Sequence, residues 1–224
     1  MSFGDKKLSE IAVSVPGSTS LLRKYDLDFC CGGSDTLANA AAEKGLNVAE
    51  IETRLTELQN SKAENPEEYW VNATYPEIID HILVRYHQRH REQLQELIVL
   101  ADRVESVHGD REDCPMGVAA ELRNVYEDLS NHMMKEEHVL FPMIKAGNYM
   151  MAQMPIRMME MEHAEHGEHL DVLKSLTNNM TPPADACNTW LALYSGIQEF
   201  IDDLMMHIHR ENNILFPRVI AENH

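Results

Sequence analysis

His-Met-Met-Lys-Glu-Glu-His-Val-Leu-Phe-Pro, residues 132–142, and His-Ile-His-Arg-Glu-Asn-Asn-Ile-Leu-Phe-Pro, residues 207–217, are two copies of one pattern. Both fit H-x-x-x-E-x-x-x-L-F-P, and the second copy follows the first by 75 residues. Residues at positions i and i+4 lie on one face of an α-helix, so each copy points a histidine and a glutamate in the same direction. An imidazole and a carboxylate on one helical face are able to bind the same metal ion.

An H-x-x-H pair precedes each copy. His87 with His90 begins 45 residues before the first copy, and His163 with His166 begins 44 residues before the second. The second half of the chain therefore repeats the first: a segment with histidines, then a segment with histidine and glutamate. Two copies of a helical hairpin predict a four-helix bundle whose ligands meet in its interior.

The chain divides into three parts by composition. Residues 1–60 contain short apolar-periodic segments separated by turn residues, and they predict a small helical domain with a Cys-Cys-Gly-Gly turn. Residues 61–73 are mostly polar and contain Pro66, so we predict a linker there. Residues 74–222 carry the repeat and are predicted to form the bundle.

The bundle is predicted to contain four long helices, and no part of the chain is predicted to form a strand. Pro142 and Pro217 follow the two glutamates of the pattern, and we expect each to kink or terminate its helix. The fold class is therefore all-α. The predicted helices cover residues 74–107, 116–146, 155–178 and 185–221.

Charge and hydropathy exclude several classes of function. The 224 residues include 37 acidic and 19 basic side chains, for a formal charge of −18, and 44% of the residues are apolar. Such a surface repels nucleic acid and anionic membranes, so we expect neither as a partner. The sequence shows no signal peptide and no apolar stretch long enough to span a bilayer, which predicts a soluble cytoplasmic protein.

The sulfur-containing residues give weaker signals. The four cysteines contain no C-x-x-C motif and suggest no disulfide framework. The fourteen methionines are interpreted as flexible core filler. Those expected in the core are Met133, Met134, Met150, Met151, Met154, Met158 and Met159.

Four histidines and two glutamates would serve two metal ions, each with two imidazoles and with both carboxylates shared as bridges. Non-haem iron suits these ligands, and zinc and manganese suit the ligand types as well. Helical phase does not decide between His87 and His90, or between His163 and His166. The remaining histidines lack a repeat, and we expect them at the surface or in packing contacts: His81, His108, His138, His169, His209 and His224.

At these residues the chain resembles the di-iron proteins of iron-centre repair, the RIC, ScdA or YtfE type, which carry a hemerythrin-like domain. The resemblance extends over essentially the whole chain. In the N-terminal part it rests on Leu-Arg-Lys-Tyr-Asp-Leu-Asp-Phe-Cys-Cys-Gly-Gly, residues 22–33. In the bundle it rests on residues 79–82, 85–87, 130–137, 140–142, 202–205 and 216–217.

The resemblance implies a hemerythrin-like four-helix bundle with two non-haem iron ions in a bridged centre that is open to diatomic molecules. It assigns His90 and His166 to supporting or packing roles. Within it, Cys30 and Cys31 are interpreted as a thiol pair for iron handover or redox contact with a partner, and the alternative is that they pack as small apolar residues. The implied iron ligands are His87, His132, His163 and His207, with Glu136 and Glu211 as the bridging carboxylates.

The function implied by the resemblance is repair of iron-sulfur clusters damaged by nitrosative or oxidative stress, by supply of iron and with reduction of nitric oxide as an added activity. The alternative is a protein that binds, scavenges or senses oxygen or nitric oxide without repair. The residues do not decide whether the protein is an enzyme. The implied partners are damaged iron-sulfur proteins and nitric oxide or oxygen, and a homodimer is suggested.

Overall fold

The computed structural model describes residues 2–61 and 63–222, so His224 lies outside the described residues. The chain divides into two compact units. The first, called the terminal unit, joins Met1–Ile78 with Met206–His224, and the second, called the central unit, is Ile79–Met205. The described residues contain no β-strand. No helix among them is long and apolar enough to cross a membrane.

The terminal unit is built from short helices. Its first 60 residues form four of them, as predicted, and the segment predicted as a linker also contains a helix. Asn47 caps α4 and Asn65 caps α5, each by accepting a backbone N–H at the start of its helix. The helices are α1 (Leu8–Ser14), α2 (Ser18–Lys24), α3 (Leu37–Glu43), α4 (Val48–Asn60), α5 (Pro66–Asn72) and, near the C-terminus, α12 (Phe216–Ala221).

Residues from both ends of the chain form one core in the terminal unit. His209 lies edge-on to the Phe29 ring, with ring centroids 5.4 Å apart. The side chains of this core are fully buried, and burial of that kind contributes about 1.5–3 kcal/mol for each large apolar side chain. The core includes Leu8, Ile11, Leu22, Phe29, Leu37, Ile51 and Leu55, and His209 is buried against it.

A buried ion pair also joins the two parts of this unit. The Arg210 guanidinium donates to both carboxylate oxygens of Glu67, and both side chains are almost fully buried. His209 lies 3.4 Å from the same carboxylate. Burial alone would raise the pKa of Glu67, but the contacts with His209 and Arg210 outweigh it and lower that pKa. The ionised carboxylate is therefore favoured in the folded protein.

The central unit contains the long helices. α7 (Gln88–His108), α8 (Val118–Lys135) and α10 (Tyr149–Leu176) lie within it, together with the short α9 (Phe141–Lys145). Two further helices, α6 (Tyr75–Ile82) and α11 (Asn188–Arg210), run through the unit boundaries.

Side-chain pairs show that neighbouring helices of the central unit are antiparallel. Between the segment at residues 85–93 and α11, Arg85 bonds Asp203, and further along the chain Gln93 bonds the Gly196 carbonyl. A Cβ on Gly196 would lie 2.7 Å from Leu97, so glycine allows these helices to approach closely. The all-α bundle predicted from the repeat is confirmed.

Three π-helical turns interrupt the helices: Leu83–His87, Glu136–Leu140 and Glu211–Leu215. Pro142 and Pro217 each stand two residues after the end of such a turn. A proline ring would clash with the carbonyl four residues earlier in a continuous α-helix, and a wider turn relieves this clash. The interruption predicted at each proline therefore takes the form of a π-helical turn before it, and the helix continues.

The predicted start of α10 is wrong. The helix begins at Tyr149 and not near residue 155, and Pro155 lies within it. Burial of Ala152 and Ile156 offsets the single backbone hydrogen bond that Pro155 cannot make.

The methionines also differ from expectation. Met133 and Met159 are buried as predicted, but five others lie about half exposed or more. Met150, Met151, Met154 and Met158 occupy the solvent-facing side of α10, opposite the positions that pack inward, and Met134 is exposed on α8. Composition counts methionines but does not assign each one to a helix face.

We predict that Glu67→Gln lowers the free energy of unfolding by about 3–5 kcal/mol, because it leaves the buried Arg210 charge uncompensated. Glu68→Gln, an exposed neighbour on the same helix, should change it by less than about 0.5 kcal/mol. Since the folded pKa of Glu67 lies below its usual 4.5, the wild-type protein should lose this stabilisation as the pH falls below that value. Urea unfolding between pH 3 and pH 7 measures both effects, and equal stabilities of the two variants would contradict the prediction.

Candidate metal centre

Four predicted ligands meet in the interior of the central unit. His87 ends the first π-helical turn, His132 and Glu136 come from α8 and the turn that follows it, and His163 comes from α10. Nε2 of His87 lies 3.3 Å from Oε2 of Glu136, and Nε2 of His132 lies 3.4 Å from the same oxygen. All four side chains are almost fully buried.

The spacing of these atoms fits a bound metal ion. His132, Glu136 and His163 each offer a ligand atom within 4.8 Å of the others. The Nε2 atoms of His132 and His163 are 3.0 Å apart. Two imidazoles bound at neighbouring positions of one ion would have such a separation, because each metal–nitrogen bond is about 2.1 Å long.

A carboxylate holds His87 from its other side. Nδ1 of His87 lies 2.8 Å from Oε1 of Glu137, and Arg91 donates to the same oxygen at 2.7 Å. The hydrogen bond from His87, with the Arg91 charge, lowers the pKa of Glu137 to about 2. An ionised carboxylate only accepts hydrogen bonds, so Nδ1 of His87 carries the proton and Nε2 presents a lone pair towards Glu136.

His132 has the same arrangement on the neighbouring helix. Its Nδ1 lies 3.0 Å from Oε2 of Glu162, whose other oxygen accepts a hydrogen bond from Lys135 at 2.6 Å. The bond from His132, with the Lys135 charge, lowers the pKa of Glu162 to about 2. Two of the four histidines therefore have Nε2 directed inward as a lone-pair donor, which is the form that binds metal.

The other members of the two H-x-x-H pairs, His90 and His166, are also buried. The ring of His90 stacks on Tyr86 and meets Phe200 edge-on, with centroid distances of 6.1 and 5.4 Å. The ring of His166 meets His132 edge-on at 4.9 Å. Both rings therefore make packing contacts next to the cluster.

The remaining predicted pair, His207 and Glu211, belongs to the terminal unit. Nε2 of His207 lies 3.3 Å from Oε1 of Glu211, and both side chains are fully buried. This pair reproduces the relation between His132 and Glu136, as the repeat predicts.

The π-helical turns coincide with predicted ligands. The first turn ends at His87, the second begins at Glu136, and the third begins at Glu211. In the second turn the Phe141 N–H bonds the Glu136 carbonyl, and in the third the Phe216 N–H bonds the Glu211 carbonyl. Such turns re-aim a side chain relative to a regular helix and are frequent at functional sites.

The thiol pair lies in the terminal unit, on the loop between α2 and α3. The Sγ atoms of Cys30 and Cys31 are 3.9 Å apart, and neither residue forms a disulfide. Cys30 is buried and Cys31 is half-buried. The contact with Cys31, together with burial, raises the pKa of the Cys30 thiol well above its usual range. Cys31 is therefore the more accessible thiol of the pair.

Sequence reasoning missed the carboxylates that hold the histidines, Glu137 and Glu162. Each comes from a different helix than the histidine it contacts, so spacing along one helix does not reveal it. A weak signal is present in the basic residues, since Arg91 lies four residues after His87 and Lys135 lies three residues after His132.

Two family models match the chain. The model of the hemerythrin HHE cation binding domain matches residues 78–219, and the ScdA_N model, described as a domain of unknown function, matches residues 4–59. These matches confirm the predicted resemblance, the hemerythrin-like fold and a di-iron cofactor.

Curated relatives match the chain from end to end. A probable iron-sulfur cluster repair protein of Haemophilus influenzae is 67% identical, over 99% of this chain and 100% of the relative. Iron-sulfur cluster repair protein YtfE of Citrobacter koseri is 56% identical over 99% of both chains. The protein of that name from Musicola paradisiaca is 54% identical over 98% of both.

We predict that Glu137→Ala weakens iron binding about 10- to 100-fold, because His87 loses the partner that fixes its tautomer. Glu137→Gln should have the smaller effect, since its amide oxygen still accepts the Nδ1–H but carries no charge. Competition with a ferrous chelator measures the affinity, and Glu127→Gln, an exposed position on α8, is the control. Wild-type affinity in Glu137→Ala would show that this carboxylate does not support the metal.

Proposed function

We propose that this chain, which belongs to the hemerythrin HHE cation-binding family and to the family of YtfE iron-sulfur cluster repair proteins, restores iron-sulfur clusters damaged by nitric oxide or oxidants by supplying iron from its di-iron centre. The observation that carries this proposal is the buried His and Glu cluster of the central unit, on a chain similar along its whole length to cluster repair proteins.

We propose the six predicted residues as the iron ligands. In the central unit, the placement of His87 and His132 around Glu136 supports three of them, and the 3.0 Å separation of the His132 and His163 Nε2 atoms supports the fourth. His207 and Glu211 are included because they repeat the sequence relation of His132 to Glu136, are fully buried and lie within the residues matched by the family model. Of these six, Glu136 and Glu211 are proposed as the bridges, and His163 completes the set.

When bound, the two irons supply open coordination positions for small molecules and an exchangeable source of iron. The residues around the site control how firmly iron is held. Their ligand atoms are nitrogen and oxygen without thiolate, a set that binds ferrous iron less tightly than a thiolate cage does. Glu137 and Glu162 keep two imidazoles in the binding tautomer, so release of iron does not require these rings to turn.

We propose that Cys30 and Cys31 assist handover of iron. The half-buried Cys31 thiol offers a soft ligand near the surface, while the neighbouring Cys30 is held as a thiol. Four cysteines that form no disulfide suit a reducing compartment, and we place the protein in the cytoplasm. Damaged iron-sulfur proteins are the proposed partners, nitric oxide and oxygen the proposed small ligands, and a homodimer the proposed assembly.

The test is repair of a purified hydro-lyase whose [4Fe–4S] cluster has been damaged by nitric oxide. The protein, loaded anaerobically with labelled iron, should restore the activity of the hydro-lyase, and the label should appear in its cluster. Glu136→Gln should bind iron at least about 100-fold more weakly and should not repair, because a direct ligand matters more than an outer one. Glu127→Gln should behave as wild type.

Two outcomes would overturn this proposal. Nitric oxide binding without recovery of the hydro-lyase would favour the alternative of a gas-binding protein. Full iron loading in Glu136→Gln would remove this glutamate from the ligand set.

We predict that Cys31→Ser slows repair at least tenfold while iron content stays at the wild-type level. The reason is that the thiol serves the transfer of iron and not its storage. Cys187→Ser, also half-buried, is the matched control and should repair at the wild-type rate. Deletion of residues 1–60 is a poorer test, because it removes the buried side chains, Phe29 among them, against which His209 packs. Unchanged repair by Cys31→Ser would exclude a handover role for this thiol.

A further inference from the structure

The loop between α2 and α3, residues 25–36, carries both cysteines and is called the thiol loop. Two asparagines bind it to the π-helical turn Glu211–Leu215, called the Glu211 turn. Nδ2 of Asn212 donates to the Cys30 carbonyl at 3.0 Å, and Nδ2 of Asn213 donates to the Phe29 carbonyl at 2.8 Å. Both asparagines follow Glu211 directly and lie in the same π-helical turn. All of these residues belong to the terminal unit.

The loop is stiff, so these bonds hold it as one piece. The Asp28 carboxylate accepts the backbone N–H groups of Cys30, Cys31 and Gly32 at 3.0, 2.9 and 2.8 Å. At the far end of the loop, the N–H of Ser9 on α1 donates to the Gly33 carbonyl at 2.9 Å. Because the loop is fixed internally and anchored at its end, we expect it to move as a rigid unit.

The fit between the loop and the turn is close. A Cβ on Gly33 would lie 2.6 Å from the Phe29 carbonyl oxygen and 3.3 Å from Oδ1 of Asn213, so only glycine fits without displacement. Nδ2 of Asn213 also lies 2.8 Å from Nδ1 of His209, which accepts its second hydrogen. The Asn213 amide is therefore oriented from both sides.

From this geometry we infer that Asn212 and Asn213 are positioning residues that couple the thiol loop to the Glu211 turn. The loop and the turn then open and close together, and metal binding at Glu211 restricts access to Cys30. The coupling to metal rests on the proposed function, whereas the attachment of the loop does not. Coupling of this kind is reciprocal. Metal binding that stabilises the turn also stabilises the closed thiol loop, and opening of the loop weakens metal binding at the turn.

The size of the effect follows from the two hydrogen bonds. Cys30 is buried, so its alkylation requires the loop to open, and the rate follows the opening equilibrium. Loss of one hydrogen bond of ordinary strength should raise that rate about fivefold. Loss of both should raise it roughly 25-fold if the bonds act independently.

The experiment measures alkylation of Cys30 by iodoacetamide at fixed pH, followed by peptide mass spectrometry of the full chain. In metal-free protein, Asn212→Ala and Asn213→Ala should each raise the rate about fivefold. Asn72→Ala is the matched control, because its side chain makes only a local bond to the Glu68 carbonyl at the surface, and it should leave the rate unchanged. Wild-type rates in both Asn212→Ala and Asn213→Ala would overturn the inference.

The second arm adds ferrous iron anaerobically, with bound iron measured in every sample. Iron should slow alkylation of Cys30 at least fivefold in the wild type, and this protection should disappear in the double variant at equal iron content. Protection that survives in the double variant would mean that iron contacts the thiols directly, and it would overturn the coupling. Failure of the wild type to bind iron would instead count against the proposed function, and the metal-free comparison would still decide the role of the asparagines.

Discussion

Burial of the Glu136 carboxylate is the constraint on which the central unit depends. A carboxylate removed from water is stable only beside compensating positive charge or hydrogen-bond donors. Here the nearest imidazole nitrogens belong to His87 and His132, and both rings direct their Nδ1–H groups outward to Glu137 and Glu162. The imidazole Nε2 atoms and the Glu136 carboxylate oxygens therefore present lone pairs to the interior of the central unit. A bound cation is the partner that best stabilises such a set of atoms. The ion pairs of Arg91 and Lys135 with the outer carboxylates support that choice of tautomer from the surface.

Much of the site could be predicted because the repeat places histidine and glutamate one helical turn apart. His132 with Glu136, and His207 with Glu211, follow from that spacing alone. The choice within each H-x-x-H pair did not follow from it, because both histidines of each pair are buried. At His87 the π-helical turn Leu83–His87 also changes the direction of the side chains, which phase counted on a regular α-helix does not include.

Other features depend on contacts that join distant parts of the chain. The start of α10 was predicted too late because burial of Ala152 and Ile156 outweighs the local effect of Pro155. The roles of Glu137 and Glu162 depend on pairing across helices, which spacing within one helix does not encode. The proline of each Leu-Phe-Pro motif favours the π-helical turn that begins at the preceding glutamate, because the wider turn avoids a clash with the proline ring.

The composition of the terminal unit has a consequence for how the chain is made. Its core places His209 edge-on to Phe29, and the buried Glu67 meets Arg210. During synthesis the first sixty residues therefore leave the ribosome long before the segment that completes their core. The bonds from Asn212 and Asn213 to the thiol loop can form only when almost the whole protein has been translated. An interrupted translation product would therefore carry the two cysteines on a loop that still has its Asp28 bonds but lacks these two attachments.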